Sequence, residues 1–368
     1  MIIEHIDDYV SRNSDIGFDE KPFNEVDALI LSQFAYMKWE GLIPELKDGK
    51  EGVTLLQLDR MMNRDEVFMD ERYAKDNITL WKAMISGKRY RSMECNYFCD
   101  RFDEDIETQF CAFTVFPKGA LPVVLFRGTD ESLLGWKEDF NMAFSKPVAG
   151  QKLASMYLRQ VSLRFDGEFN VAGHSKGGNL AVYAGMTVDK EIQDRIVRIY
   201  NFDGPGFRPE VLQESKYELI KDKVDKMIPK SSLVGMLLEN HEEYSVVKCA
   251  ALSGVLQHNP YTWMVKDDEF DWDDGLSKYT KLKNDSINKF VLSLDEEQLQ
   301  VFVDTLFAIA GGAEAATLLE IAADWKKNTK LMLQAMKDID EYTKAELKKM
   351  LKEFGTIFNE ELKNSYDN

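Results

Sequence analysis

The chain has 368 residues, of which 44% are hydrophobic and 30% charged, a composition typical of globular proteins rather than disordered or fibrous ones. Its 46 lysines and arginines are outnumbered by 64 aspartates and glutamates, and the net charge of −18 argues against nucleic acid or an anionic membrane surface as a partner. Four cysteines are too few for a disulfide framework and no histidine completes a zinc spacing, so we expect reduced thiols and no metal site.

The amino-terminal part of the chain predicts a cytoplasmic protein and an early helix. Glu4, Asp7 and Asp8 stand where a secretory signal would have a basic start and an unbroken apolar run. From Asn24 to Trp39, apolar residues recur at helical spacing behind Asn24, which is a favourable N-cap. We expect an amphipathic helix over this segment.

A β-rich section and then alternating elements follow. The runs CNYFC (95–99) and TQFCAFTVF (108–116) flank an acidic stretch and predict a hairpin, and LPVVLF (121–126) predicts a buried central strand. Beyond them, strands are predicted over 168–172 and 198–202 and helices over 152–165 and 177–186. Strands that alternate with helices indicate a mostly parallel sheet with right-handed connections, and therefore an α/β fold.

The clearest chemical signal is FNVAGHSKGGNLAVY (169–183), which places Ser175 in a GxSxG pattern between a predicted strand and a predicted helix. A serine on so tight a turn needs small neighbours, and Gly173 and Gly177 supply them. The turn lifts the hydroxyl above the sheet at the positive end of a helix. We predict that Ser175 is a catalytic nucleophile.

Several motifs together resemble a known family. GHSKGG and the upstream FRGTDESLLGWKEDF are similar to the class 3 lipases, the fungal triacylglycerol lipase type of α/β-hydrolase. FNEVDALILSQFAYMKW, VLFRGTD, GHSKGGNLA, NFDGPGF and QHNPYTW resemble a bacterial branch of that group, over about residues 20–265. The resemblance implies an α/β-hydrolase sheet flanked by helices and a cofactor-free cleavage of carboxylic esters, such as an acylglycerol or a lysophospholipid.

The same resemblance implies an oxyanion hole. In the lipase pattern the residue after FRG contributes a backbone N–H to it, and that residue is Thr129. Lys176 directly follows the nucleophile, so its N–H is expected to be the second donor to the carbonyl oxygen as that oxygen gains charge.

The base and the acid should follow the nucleophile in the order Ser, acid, His that this fold uses. His258 lies in LQHNPYTW, a loop-like segment that also matches the related pattern, whereas His241 lies among carboxylates in LENHEEY. We predict His258 as the general base, with His241 as the alternative. His174, beside the nucleophile, and His5 are expected to play no catalytic role.

Two aspartates are candidates for the acid. Asp203 ends a predicted strand in FDGPGF, and Asp225 lies in KVDKMIP, near the place where the lipases carry their acid. Lys226 occupies the position that aligns with the lipase aspartate, which weakens the case for Asp225. Sites on open parallel sheets lie at the carboxyl ends of strands, so we favour Asp203 and keep Asp225 as the alternative.

The last third of the chain has a different character. The acidic run DDEFDWDDG (267–275) predicts a boundary, so we expect an α/β-hydrolase domain over 1–265 and a helical extension over 266–368, serving as a lid or an interaction region. Ser293 with Glu296 predicts a capping box at the start of these helices. The apolar stretch 301–316 contains charges and is shorter than the ~20 residues that cross a bilayer, so no stable membrane insertion is expected.

A second function from another class fits the same sequence. A catalytically silent hydrolase scaffold that binds a ligand or a protein partner would keep the fold, because fold does not fix function. The two candidate acids and the unusual lysine at position 176 favour this alternative. The identity of the ester and the oligomeric state are left open by the sequence.

Overall fold

A mixed β-sheet forms the centre of the molecule. The computed structural model describes residues 3–68, 73–103, 108–129, 147–208, 211–212, 217–238, 243–251, 254–295, 297–298, 349, 352–359 and 362. The strands in these ranges are β1 (Val53–Thr54), β2 (Glu94–Asp103), β3 (Thr108–Phe116), β4 (Val123–Phe126), β5 (Phe169–His174), β6 (Ile196–Phe202), β7 (Val224–Pro229), β8 (Tyr244–Val247), β9 (Val265–Lys266), β10 (Glu269–Phe270) and β11 (Trp272–Asp273).

The strand order of the main sheet is β1-β2-β3-β4-β5-β6-β7-β8-β11, and β9 and β10 form a separate small pair. Strands β4 to β8 are parallel to one another. Strands β1 to β4 pair antiparallel in succession, and β11 pairs antiparallel with β8. The predicted hairpin is confirmed as β2 and β3, and the predicted central strand as β4, whose four residues are all buried.

Helices cover both faces of the sheet. In the described residues they are α1 (Ile6–Asn13), α2 (Glu25–Phe34), α3 (Leu55–Met61), α4 (Arg64–Val67), α5 (Ala74–Ser86), α6 (Lys88–Arg91), α7 (Ala149–Val161), α8 (Lys176–Thr187), α9 (Lys190–Arg195), α10 (Gly254–Gln257) and α11 (Lys278–Ser293), with 3₁₀ turns at Tyr217–Leu219, Lys221–Lys223 and Pro260–Thr262. The predicted early helix is confirmed as α2, which begins after Asn24, whose side chain accepts hydrogen bonds from Val26 N and Asp27 N. It ends at Phe34 rather than Trp39, and it is buried on all sides rather than amphipathic, because it packs inside the core of the protein.

Two hydrophobic layers result from the alternation of side chains along the strands. Leu125 of β4 belongs to the layer shared with α1, α2 and α5, whereas the neighbouring Val124 belongs to the layer shared with α7 and α8. The central parallel strands β4 and β5 are buried along their whole length, as expected for the centre of an α/β fold. The predicted α/β fold is therefore confirmed.

The segment after Trp263 is attached to this sheet. The acidic run 267–275 contributes β10 and β11, and β11 extends the main sheet at β8. The division of the chain at residue 265 remains a proposal. Ser293 was expected to cap a following helix; instead it is the last residue of α11, and its hydroxyl donates to Phe290 O. Within the described ranges, no helix has the length and apolar character needed to span a bilayer.

Candidate active site

Ser175 stands on a strained turn between β5 and α8. Its backbone has φ 58° and ψ −131°, a conformation that costs a non-glycine residue on the order of 1–3 kcal/mol. Ser175 N donates to Phe202 O at 2.8 Å, which ties the turn to the end of β6. The side chain of Ser175 therefore lies at the carboxyl edge of the parallel strands, directly before the first residue of α8.

The glycines around Ser175 are required by close backbone contacts. A Cβ on Gly173 would lie 2.2 Å from the carbonyl carbon of Gly177, and a Cβ on Gly177 would lie 2.1 Å from Phe126 O. Separations this short do not occur between atoms that are not bonded to each other, and both neighbours belong to the backbone. The GxSxG spacing is thus a packing requirement of this turn.

Asp203 follows β6 at the same edge of the sheet. Strands β5 and β6 pair in register with His174 opposite Phe202, so the residues that follow them, Ser175 and Asp203, are neighbours. Asp203 is fully buried and also has a positive φ of 50°. Its Oδ2 lies 2.6 Å from His258 Nδ1.

The other oxygen of Asp203 has two donors. Ser232 Oγ donates to Oδ1 at 2.5 Å and Gly235 N donates at 3.1 Å. With three hydrogen bonds, this buried carboxylate is satisfied in its ionised form. An ionised carboxylate only accepts, so the imidazole proton of His258 is on Nδ1.

In the neutral form of His258 this places the lone pair on Nε2. This atom is buried and has no hydrogen-bond partner among the described residues, so it is not bonded to Ser175 Oγ. Leaving a buried acceptor unpaired is costly, and structural histidines avoid it. In unliganded sites the bond between nucleophile and base is often long and tightens when substrate binds.

His174 contacts the candidate base directly. The two imidazole rings lie 4.6 Å apart between centroids, His174 Nε2 donates to His258 O at 2.9 Å, and Tyr36 Oη lies 3.0 Å from His174 Nδ1. Burial lowers the pKa of His174 well below its ordinary value, with a smaller contribution from His258. His174 is thus a neutral side chain that links the backbone of His258 to Tyr36, just beyond the end of helix α2.

The two predicted oxyanion donors lie at adjoining turns. The backbone after β4 is packed on the start of α8, because a Cβ on Gly177 would lie 3.0 Å from Gly128 N. Thr129 follows in that turn. Lys176 is the first residue of α8, where N–H groups have no intrahelical acceptor.

The side chain of Lys176 is bound to strand β3. It is buried, and its Nζ donates to Gln109 O of β3 at 2.9 Å. The long side chain therefore anchors α8 to the neighbouring sheet. The backbone N–H of Lys176 can therefore serve at the nucleophile while its side-chain nitrogen is bound to β3.

The profile of a known family covers this constellation. The Mbeg1-like profile matches residues 84–308, which include Ser175, Asp203 and His258. The chain belongs to the Mbeg1-like family. This is a lipase-like family.

Two further comparisons accompany this result. No curated protein matches the chain. Among solved structures, the crystal structure of M37 lipase is similar at 13% identity and a TM-score of 0.36, over 58% of this chain and 69% of that one. These values support no residue-by-residue comparison of the two proteins.

The alternative acid of this Mbeg1-like chain lies elsewhere. Asp225 lies near the amino end of β7 and pairs in register with Tyr200, three residues before Asp203. It lies 3.4 Å from Arg198 and lines a cavity of 460 Å³ together with Glu25. Burial raises the pKa of Asp225, and Arg198 opposes that shift. The structure therefore brings Asp203, and not Asp225, to His258.

The remaining histidines are away from Ser175 or undescribed. His5 Nδ1 lies 3.2 Å from Trp263 O, and His241, the alternative base, lies outside the described residues. Across the described ranges, no cluster of histidine, cysteine and carboxylate side chains could hold a metal ion.

Sequence reasoning missed three supporting side chains of the Mbeg1-like site. Tyr36 lies 138 positions from His174, and Ser232 lies 29 positions from Asp203. His174 was expected to be a bystander. No local pattern marks any of these contacts, although a histidine directly before a predicted nucleophile is a signal that could have prompted a search for partners.

Proposed function

We propose that this Mbeg1-like protein is a serine hydrolase that cleaves a carboxylic ester through an acyl-enzyme on Ser175. The observation that carries the proposal is His258, whose Nδ1 is held 2.6 Å from the buried Asp203 while its Nε2 is buried and unpaired among the described residues. A general base needs this arrangement, with an oriented ring and a free lone pair.

The chemistry proceeds in two halves. As Ser175 Oγ attacks the ester carbonyl carbon, its proton passes to His258 Nε2, and the carbonyl electron pair moves to the oxygen. The N–H groups of Thr129 and Lys176 stabilise that oxyanion. When the intermediate collapses, the C–O bond to the alcohol breaks and the alkoxide takes the proton from Nε2, leaving the acyl group on Ser175.

Water completes the cycle by the same route. His258 Nε2 accepts a proton from water as the hydroxide attacks the acyl carbonyl, and the serine oxygen leaves with that proton. Asp203 remains ionised throughout and stabilises the imidazolium that forms in each half.

Covalent labelling with a fluorophosphonate tests the proposal. The wild-type protein should be labelled at Ser175, and Ser175→Ala should abolish the labelling. Ser245→Ala is a matched control, because Ser245 is an exposed serine on β8 and its loss should leave the labelling intact.

Absence of labelling would favour the alternative function, a silent binding scaffold. The missing hydrogen bond between Ser175 and His258 is also compatible with a silent binding scaffold, which needs no contact between these two side chains. A folded wild-type protein that takes up no phosphonate and hydrolyses no p-nitrophenyl butyrate would establish that alternative.

A further inference from the structure

Helix α11 is joined by hydrogen bonds to the segment that holds Asp203. This segment, residues 232–238, follows β7 as a run of turns and is called here the acid loop. It supplies both donors to Asp203 Oδ1, namely Ser232 Oγ and Gly235 N. The orientation of the carboxylate toward His258 therefore depends on the conformation of the acid loop.

Two asparagines of α11 bind the backbone of the acid loop from its other side. Asn284 Nδ2 donates to Ser232 O at 3.0 Å. Asn288 Nδ2 donates to Met236 O at 2.8 Å, and its Oδ1 accepts from Leu238 N at 2.8 Å. Residues four apart lie on one face of a helix, so the pair contacts the loop at both ends.

The loop is also joined to the nucleophile side of the site. Leu237 O accepts a hydrogen bond from Gly206 N at 2.8 Å, and Asn179 Nδ2 of α8 donates to Gly206 O at 3.0 Å. The acid loop thus lies between α11 and the turn that follows Asp203, with bonds to each.

Asn284 contributes to the acid loop through the NH₂ group of its side chain. The side chain is buried, and its Oδ1 has no hydrogen-bond partner among the described residues. A buried acceptor without a partner is unfavourable, and an apolar residue would avoid that cost. In exchange, the NH₂ group of Asn284 donates a hydrogen bond to Ser232 O.

We propose that Asn284 and Asn288 are positioning residues, which hold the acid loop so that Asp203 stays aligned with His258. The inference rests on the function proposed above for the same site. On this proposal, helix α11 supports the Asp203–His258 pair from the last third of the chain. Displacement of α11 would loosen the acid loop and so weaken the orientation of His258.

The test compares the double variant Asn284→Ala/Asn288→Ala with Ser286→Ala. Ser286 is buried on the same helix between the two asparagines, but its hydroxyl donates to Leu282 O within the helix. Both variants lose buried hydrogen bonds of α11, and the double variant alone loses contact with the acid loop. With folded protein, p-nitrophenyl butyrate turnover should fall about 10- to 100-fold in the double variant at nearly unchanged KM, and little in the control.

A double-mutant cycle separates positioning from general stability. In an Asp203→Asn background, the two asparagine substitutions should cost no further activity, because they act through that carboxylate. A loss of equal size in both backgrounds, or full turnover in the folded double variant, would overturn the proposal. If the double variant does not fold, Asn284→Ala alone gives the same comparison.

A spectroscopic readout is independent of turnover. The proton between His258 Nδ1 and Asp203 should give a far-downfield ¹H NMR resonance, assigned by its loss in Asp203→Asn. We expect it in the wild type and in Ser286→Ala, and shifted or broadened in the double variant. An unchanged resonance would refute the positioning role even in a protein without esterase activity, whereas failure of phosphonate labelling alone would refute only the proposed function.

Discussion

Replacing Asp203 by asparagine is the most direct perturbation of the candidate triad, because the structure dictates the orientation of the new amide. Oδ1 accepts from Ser232 Oγ and Gly235 N, so that position requires an oxygen. The NH₂ group is therefore turned toward His258 Nδ1. A donor at Nδ1 forces the imidazole proton onto Nε2, which then cannot accept the proton of Ser175.

The expected loss of activity is large and the expected loss of stability is small. A wrong imidazole tautomer costs about 10⁴ in kcat in triad enzymes, equivalent to about 5.5 kcal/mol of transition-state stabilisation. The variant keeps the shape of the side chain and both donors to Oδ1. The free energy of unfolding should consequently change by far less than the activation free energy.

The assay is turnover of p-nitrophenyl butyrate, measured together with the melting temperature, and Asp225→Asn is the matched control. Asp225 and its partner Arg198 are 40% and 45% exposed, and such surface pairs contribute about 0–1 kcal/mol. The control should retain activity within about two-fold. Full turnover in folded Asp203→Asn, or an equal loss in Asp225→Asn, would refute the assignment of the acid.

Three further outcomes are expected. His258→Ala should lower ester hydrolysis by several orders of magnitude, measured as kcat/KM, while His5→Ala stays close to wild type; the reverse ranking would contradict the assigned base. Gly177→Ala should lower the melting temperature well below that of Gly185→Ala, because the added Cβ meets backbone at 2.1 Å in the first case and the mobile end of a side chain at 2.5 Å in the second. Burial lowers the pKa of His174, so its contribution to stability is complete above about pH 6.5 and declines as pH falls, by about 1.4 kcal/mol per pH unit. Urea unfolding should therefore show the gap between wild type and His174→Gln narrowing from about pH 7.5 to pH 5.5, and parallel curves would contradict it.

Much of the architecture can be predicted from local patterns in the sequence. Hydrophobic periodicity and the cap at Asn24 predict α2, and continuous apolar runs predict the buried parallel strands. The spacing of Gly173, Ser175 and Gly177 predicts the strained turn, because the close approach of β5 and α8 allows no side chains there. These patterns involve residues only a few positions apart in the chain. They can therefore be recognised without knowledge of the tertiary structure.

The arrangement around the base could not be read in this way. Asp203 and Asp225 both follow the nucleophile and both lie in or beside a strand, and sequence order does not separate them. Their placement depends on the parallel register, which puts Asp203 at the carboxyl edge and Asp225 about three residues away along the neighbouring strand. A register is a long-range property of paired strands.

The sequence by itself determined the α/β class, the sheet-to-helix turn at Ser175 and a short set of candidate partners. Only the tertiary structure decided that Asp203 meets His258, that Tyr36 and His174 brace that histidine, and that α11 supports the acid loop. Each of these contacts joins residues tens to more than a hundred positions apart. Hydrogen bonds of this kind depend on how whole elements pack, and no local pattern of residue types records them.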